Sequence, residues 1–157
     1  MKRIAAIIHD PTESKILIGL GFKKTEDCIQ KIKNSNKSIN VDVFNFKGSE
    51  AEVLKRINNE FKDYDLIHIL RSGDVVLPDF YSSSSVTLEY LRKDYCFSHY
   101  YSFDNCELVS DPLFPCQLVV KRWVIEELSA CSDFNQLYGK IREQYQGCEV
   151  SAILVLS

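Results

Sequence analysis

A chain of 157 residues with a formal net charge of −3, 45% hydrophobic and 26% charged residues has the composition of a globular protein, not of a disordered one. The slightly acidic balance argues against a general nucleic-acid binder, which carries a clustered basic face, and the length predicts one domain spanning residues 1–157. Cys28, Cys96, Cys106, Cys116, Cys131 and Cys148 form no Cys-x-x-Cys pair and have no zinc-type His spacing, so they predict small packed hydrophobes in a reducing, cytoplasmic setting.

Lys2-Arg3 precedes the apolar run Ile4–Ile8, far too short for a secretory core or a membrane span. The run reads as a buried strand closed by His9-Asp10-Pro11 at a cleft. Lys15–Phe22 fits a second short strand or a hairpin arm, and its Gly19-x-Gly21 lacks the third glycine of a dinucleotide fingerprint. Thr25-Glu26-Asp27 opens a helix with a hydroxyl cap and two first-turn acids, and Cys28, Ile29 and Ile32 mark its buried side. A strand follows over Ile39–Phe46, with the face made by Ile39, Val41, Val43 and Asn45 expected to be buried throughout. Ser49-Glu50-Ala51-Glu52 has the form of a capping box, and Val53, Leu54, Ile57 and Phe61 continue it at helical spacing.

The apolar strand Leu66–Leu70 runs into the polar turn Arg71-Ser72-Gly73-Asp74 and then into Val75–Phe80. Ligands of open α/β sheets bind beyond the carboxyl ends of the strands, so a base and an acid arriving there together form a candidate anion-handling site. The local alternative is a surface turn relieved by Gly73, with Arg71 paired to Asp74. A helix is expected over residues 78–93, then an aromatic strand Tyr95–Phe103 whose outward rings could stack on a sugar. A short strand Pro115–Lys121, helices over Arg122–Ala130 and Phe134–Tyr145, and a last strand Glu149–Leu156 complete the chain. No P-loop, Gly-x-Ser-x-Gly elbow or His-Glu-x-x-His motif is present. The early strand-helix-strand-helix-strand order predicts α/β architecture with a mainly parallel sheet and a mixed edge.

The segment from Leu66 to Pro78 resembles the strand and turn of GT-A fold glycosyltransferases of the family 2 type, where an Asp-x-Asp-Asp run is followed by an apolar pair, a spacer and often proline. Asp74 holds the last acidic position and Val75-Val76-Leu77-Pro78 the follow-on, while Arg71 and Gly73 stand where the first two acids would be. Three further places resemble the family. Pro11-Thr12-Glu13-Ser14 is similar to its Pro-Thr-Tyr-Asn after the first strand, and Asn45-Phe46-Lys47-Gly48-Ser49 to its Asp-Asp-Gly-Ser-like turn. Ser132-Asp133 follows Val119–Trp123 as a Glu-Asp pair follows an apolar strand with basic residues in the family.

The resemblance implies a single-domain GT-A-like (nucleotide-diphospho-sugar transferase) three-layer sandwich. It further implies a donor site built from Thr12, Asn45, Arg71 and Asp74, and Asp133 as the base that takes a proton from the acceptor hydroxyl. The expected partners are a nucleoside-diphosphate sugar and an acceptor of unknown identity, with a partner chain or a second copy completing the acceptor side. The usual cofactor of such chemistry is Mn²⁺ or Mg²⁺, which stabilises charge on the departing diphosphate. Asp74 is the one acid left to hold it, and Arg71 offers fixed positive charge instead. All these groups are expected to converge on one pocket. The competing expectation is a GT-A-like binding or assembly module without turnover, which the missing acids at Asn45, Arg71 and Gly73 favour. A flavodoxin-like nucleotide-binding domain is the third reading, should His9–Ser14 form a phosphate cradle.

Overall fold

The computed structural model describes residues 2–9, 21, 24–35, 38–102, 106–112, 114–128 and 130–156. Thr12, the Pro11–Ser14 turn and nearly all of the Lys15–Phe22 segment lie outside the described residues.

One strand in from the sheet edge is β1 (Arg3–His9), whose Ile4, Ala5, Ala6, Ile7 and Ile8 are all buried. Both faces of β1 are covered, and its unbroken apolar run follows from that. It pairs in parallel with β2 (Asn40–Phe46) on one side and β3 (Leu66–Arg71) on the other, with His9 level with both Phe46 and Arg71. These three strands therefore end together, at one edge of the sheet. Beyond β3 come β7 (Leu118–Lys121), β5 (Tyr95–Ser102), β8 (Gly147–Leu156) and β4 (Val75–Val76), in that order, and β6 (Glu107–Val109) pairs with the far half of β5. β1, β2, β3, β5 and β8 run one way, while β4, β6 and β7 oppose them. The sheet is mixed and mainly parallel, as the order of elements predicts.

Alternate residues of the strands face two separate cores. Ile4, Ala6, Ile8, Leu66 and Leu70 pack with Cys28, Ile29 and Ile32 of α1 (Thr25–Ser35) and with Phe80, Tyr81 and Leu88 of α3 (Phe80–Leu91). Ala5, Ile7, Ile67 and Ile69 pack on the other face with Val53, Leu54 and Ile57 of α2 (Glu50–Glu60), Val124 and Ile125 of α4 (Arg122–Glu127), and Leu137, Tyr138 and Ile141 of α5 (Phe134–Gln144). The result is a three-layer sandwich. Each fully buried Ile, Leu or Phe contributes about 1.5–3 kcal/mol through apolar area removed from water.

Three elements differ from the sequence reading. β2 lies at the sheet edge, so its face is not buried throughout: Val41 is fully covered, Val43 half-covered and Asn45 exposed. Pro115–Gln117 is a 3₁₀ turn and not strand, because Gln117 bends back on it, its Oε1 accepting the Phe114 N–H at 2.9 Å. The Gln117 amide also donates to Ser98 O (3.0 Å) and Asp111 O (2.8 Å), which ties this turn to β5. Finally, Val75–Val76 forms a strand of its own against β8.

A buried polar pair joins the layers under the same turn. His68 Nε2 donates to Cys116 O at 2.7 Å, which fixes the tautomer and leaves Nδ1 to accept the Tyr81 hydroxyl at 2.8 Å. Complete burial brings the His68 pKa down to about 4, so the ring is neutral. No helix among the described residues is long and apolar enough to cross a membrane.

Candidate functional site

The carboxyl edge of β1, β2 and β3 is built around the corner Arg71–Asp74. Gly73 has φ +108°, a conformation that side-chain-bearing residues rarely adopt, and this is why glycine stands there. Its N–H donates to Thr25 Oγ1 at 2.8 Å, so the threonine at the start of α1 pins the corner from the neighbouring layer. Asp74 Oδ2 accepts the Arg71 N–H at 2.8 Å, and the Asp74 N–H donates to Arg71 O at 3.1 Å. The carboxyl is 3% exposed. Burial raises its pKa to about 6, opposed by the Arg71 N–H and by the guanidinium charge. Asp74 is thus a buried brace of the turn. Arg71 itself is exposed, and its guanidinium forms no ion pair among the described residues.

Arg71 opens into a cavity of about 350 Å³ on the α2/α5 side of the edge. His9, Glu50 and Asn135 supply its other polar groups, and Ile69, Phe114, Pro115 and Phe134 its apolar wall. His9 Nε2 donates to Gly48 O at 2.6 Å, and its ring meets Phe134 edge-on at 5.4 Å. Glu50, the first residue of α2, reaches across to α5: its Oε1 accepts the Phe134 N–H at 2.8 Å. The N-termini of two helices therefore converge on one carboxylate. Cys116 also lines the cavity, but burial holds its thiol well above the ordinary range, so it is not a nucleophile.

A second cleft, of about 370 Å³, lies on the α1 side and is lined by Lys24, Thr25, Glu26, Asn45, Lys47 and Ser72, with Ile8 at its floor. Asn45 Nδ2 donates there to Glu26 Oε2 at 2.8 Å.

Of the expected site residues, Asn45, Arg71 and Asp74 are therefore gathered at one edge of the sheet but not in one pocket. Arg71 and Asn45 open on different clefts, and Asp74 lines neither. Asp133 belongs to the layer opposite the one in which the Asp74 turn packs. It is the cap of α5, its Oδ1 accepting the Gln136 N–H at 2.7 Å, while Gln136 Oε1 returns to the Ser132 N–H at 2.9 Å. Asp133 is exposed beside Phe134 and Asn135 without itself lining the cavity. Glu50 is not among the residues the sequence marks for this cavity, because a glutamate just after a capping serine already has a local role. The one available signal was its position, level with the end of β2.

The donor set at the corner does not fit a divalent cation. Asp74 is a single, buried carboxyl whose Oδ2 is already engaged, and no group of three His, Cys, Asp or Glu side chains among the described residues is arranged to hold a metal. Of the aromatic strand, Tyr95 and Tyr100 are core residues, and Tyr100 packs edge-on against Phe114 at 5.1 Å.

The fold matches solved structures of TarS from S. aureus. The TarS 1–349 complex with UDP superposes with a TM-score of 0.53 at 14% identity, covering 99% of this chain and 58% of that one. The complex with UDP-GlcNAc gives a TM-score of 0.56 at 12% identity over 99% and 56%, and TarS 1–349 alone gives 0.52 at 12%. The chain thus spans a little over half the length of the TarS chains it matches. No protein-family model and no curated protein sequence matches it. The architecture is that of the GT-A-like glycosyltransferases.

Proposed function

We propose that this chain is a family 2-like glycosyltransferase module that takes a nucleoside-diphosphate sugar at the carboxyl edge of the sheet, with the Arg71 guanidinium on the diphosphate in place of a carboxylate-held metal. The observation that carries this reading is the guanidinium itself, which has no ion pair among the described residues. It stands at the end of a central strand, on a turn braced from below by Asp74 and Thr25, and faces a cavity of about 350 Å³. Support comes from the neighbours of like fold, since TarS has been crystallised with UDP and with UDP-GlcNAc.

Sugar transfer needs positive charge where the departing diphosphate gains negative charge. A planar guanidinium can pair with two phosphate oxygens at once and does so without an ion. Asn45 and the lysines of the α1-side cleft lie across β1 at the same end of the sheet, and this reading assigns them the nucleoside end of the donor. The role of Asp133 is that of a helix cap in this reading.

Isothermal titration with UDP, GDP and dTDP and their hexose derivatives tests the proposal, in EDTA and in Mn²⁺. The expected result is binding that survives EDTA and weakens about 10- to 100-fold in Arg71→Ala, the loss of a charge-assisted hydrogen-bonded pair. Strict metal dependence, or an Arg71→Ala protein that binds like wild type, overturns it. The burial of Asp74 favours a second reading, a module that binds the nucleotide without turnover. Binding with no release of sugar from any donor is the result that selects it.

A further inference from the structure

Among the described residues the cavity beside Arg71 is lined by one carboxylate, Glu50, and we infer that Glu50 is the catalytic base that takes the proton of the acceptor hydroxyl. This rests on the transfer reading above. Three observations single it out. Glu50 lines the same cavity as the guanidinium, whereas Asp133 does not. Asp133 caps α5, with Oδ1 held on the Gln136 N–H. The Phe134 N–H fixes Oε1 of Glu50 at 2.8 Å, which orients the carboxylate and leaves Oε2 as the oxygen with no hydrogen bond among the described residues.

Two other groups of the cavity are held in other roles. His9 Nε2 carries its hydrogen to Gly48 O, and Cys116 keeps its proton. A preorganised carboxylate facing a cationic group across an apolar-walled cavity has the arrangement that displacement at an anomeric carbon requires. The acceptor hydroxyl oxygen forms the new bond to that carbon as its proton passes to Glu50 Oε2. The bond from the carbon to the diphosphate oxygen breaks, and its electron pair leaves with the diphosphate towards Arg71. The acceptor is an alcohol, or water in its absence.

Glu50→Gln is the informative substitution, because its amide oxygen still accepts the Phe134 N–H while the basic oxygen is gone. Binding of UDP-, GDP- and dTDP-hexoses is measured by titration, and release of nucleoside diphosphate by a coupled assay, in wild type, Glu50→Gln and Asp133→Asn. The expected outcome is unchanged binding and melting temperature in Glu50→Gln, with release slower by about 10²–10⁴-fold, the span a positioned base supplies. Release retained in Glu50→Gln, or lost in Asp133→Asn while Glu50→Gln keeps it, overturns the inference. So does wild type that binds a donor and releases nothing, which leaves the donor site standing. Wild type that binds no nucleotide sugar removes the site and the inference together.

Discussion

Gly73 and Asp74 set the cost of presenting Arg71 to solvent. A φ of +108° is accessible to glycine alone without strain, so Gly73→Ala is expected to lose about 1–3 kcal/mol of stability, read from the shift in urea midpoint. Retention of full stability would mean that the corner rearranges freely, and that Arg71 is not held. The sequence made Arg71 and Gly73 legible, since a base and a glycine at a strand end are visible in one line. The depth of Asp74 was not legible. An aspartate after Ser-Gly has the same local pattern whether its carboxyl faces water or folds back on Arg71 N, and only the packing of α1 through Thr25 decides between them.

At the scale of elements, the starts of α2 and α5 were readable because caps act through near neighbours, whereas the Thr25 hydroxyl, expected as a cap of α1, takes the Gly73 N–H from another layer. Ser49 Oγ accepts the Glu52 N–H at 3.2 Å, as the capping pattern predicts, and Asp133 does the same for α5. Removing either cap with alanine should cost about 1 kcal/mol, whereas Asp133→Asn should be nearly neutral, because asparagine caps as well as aspartate. Matched urea unfolding curves for Ser49→Ala, Asp133→Ala and Asp133→Asn check this ranking. Thr25 matters differently. Its hydroxyl is 1% exposed and is the partner of the Gly73 N–H, so Thr25→Val should strand a buried donor at a cost of about 1–3 kcal/mol and loosen the corner as well. Equal stability of Thr25→Val and wild type would show that this link between layers is dispensable. The short elements were least readable. Val75–Val76 owes its conformation to β8, far along the chain, and Pro115–Gln117 owes its own to the bonds Gln117 makes with Phe114, Ser98 and Asp111, which alternation of apolar residues does not reveal.

For the whole molecule, two buried groups give opposing pH dependences. His68 has its pKa lowered from 6.5 to about 4, so its contribution is present above pH 6.5 and is lost as pH falls through about 4, by about 3 kcal/mol in all. Asp74 has its pKa raised from 3.8 to about 6, so its contribution is fully present below pH 3.8 and is lost as pH rises through about 6, by a similar amount. The two windows overlap between about pH 4 and 6 and nearly offset each other there. Asp74→Asn removes one side of the balance. That variant should be more stable than wild type at pH 7, and the advantage should vanish by pH 4, as thermal melts at the two values would read. An advantage that is the same at both values would show that the carboxyl is not buried in its charged form.

The three-layer architecture was legible from the order of elements, because alternating strands and amphipathic helices admit few ways of covering both sheet faces. The sharing of the carboxyl edge between two clefts was not. It depends on which helix covers which face, and periodicity shows only that each helix has a face to bury.

The position of β8 bears on how the chain is made. The last strand pairs in parallel with β5 along its length, some fifty residues upstream, and also carries β4 on its other side. A nascent chain that has emerged only as far as α5 therefore displays the backbone of β5 along one flank, with β4 unmoored. Vectorial synthesis would leave this sheet open until β8 has emerged, and holdase chaperones that recognise bare strand flanks would find this chain a substrate during that interval.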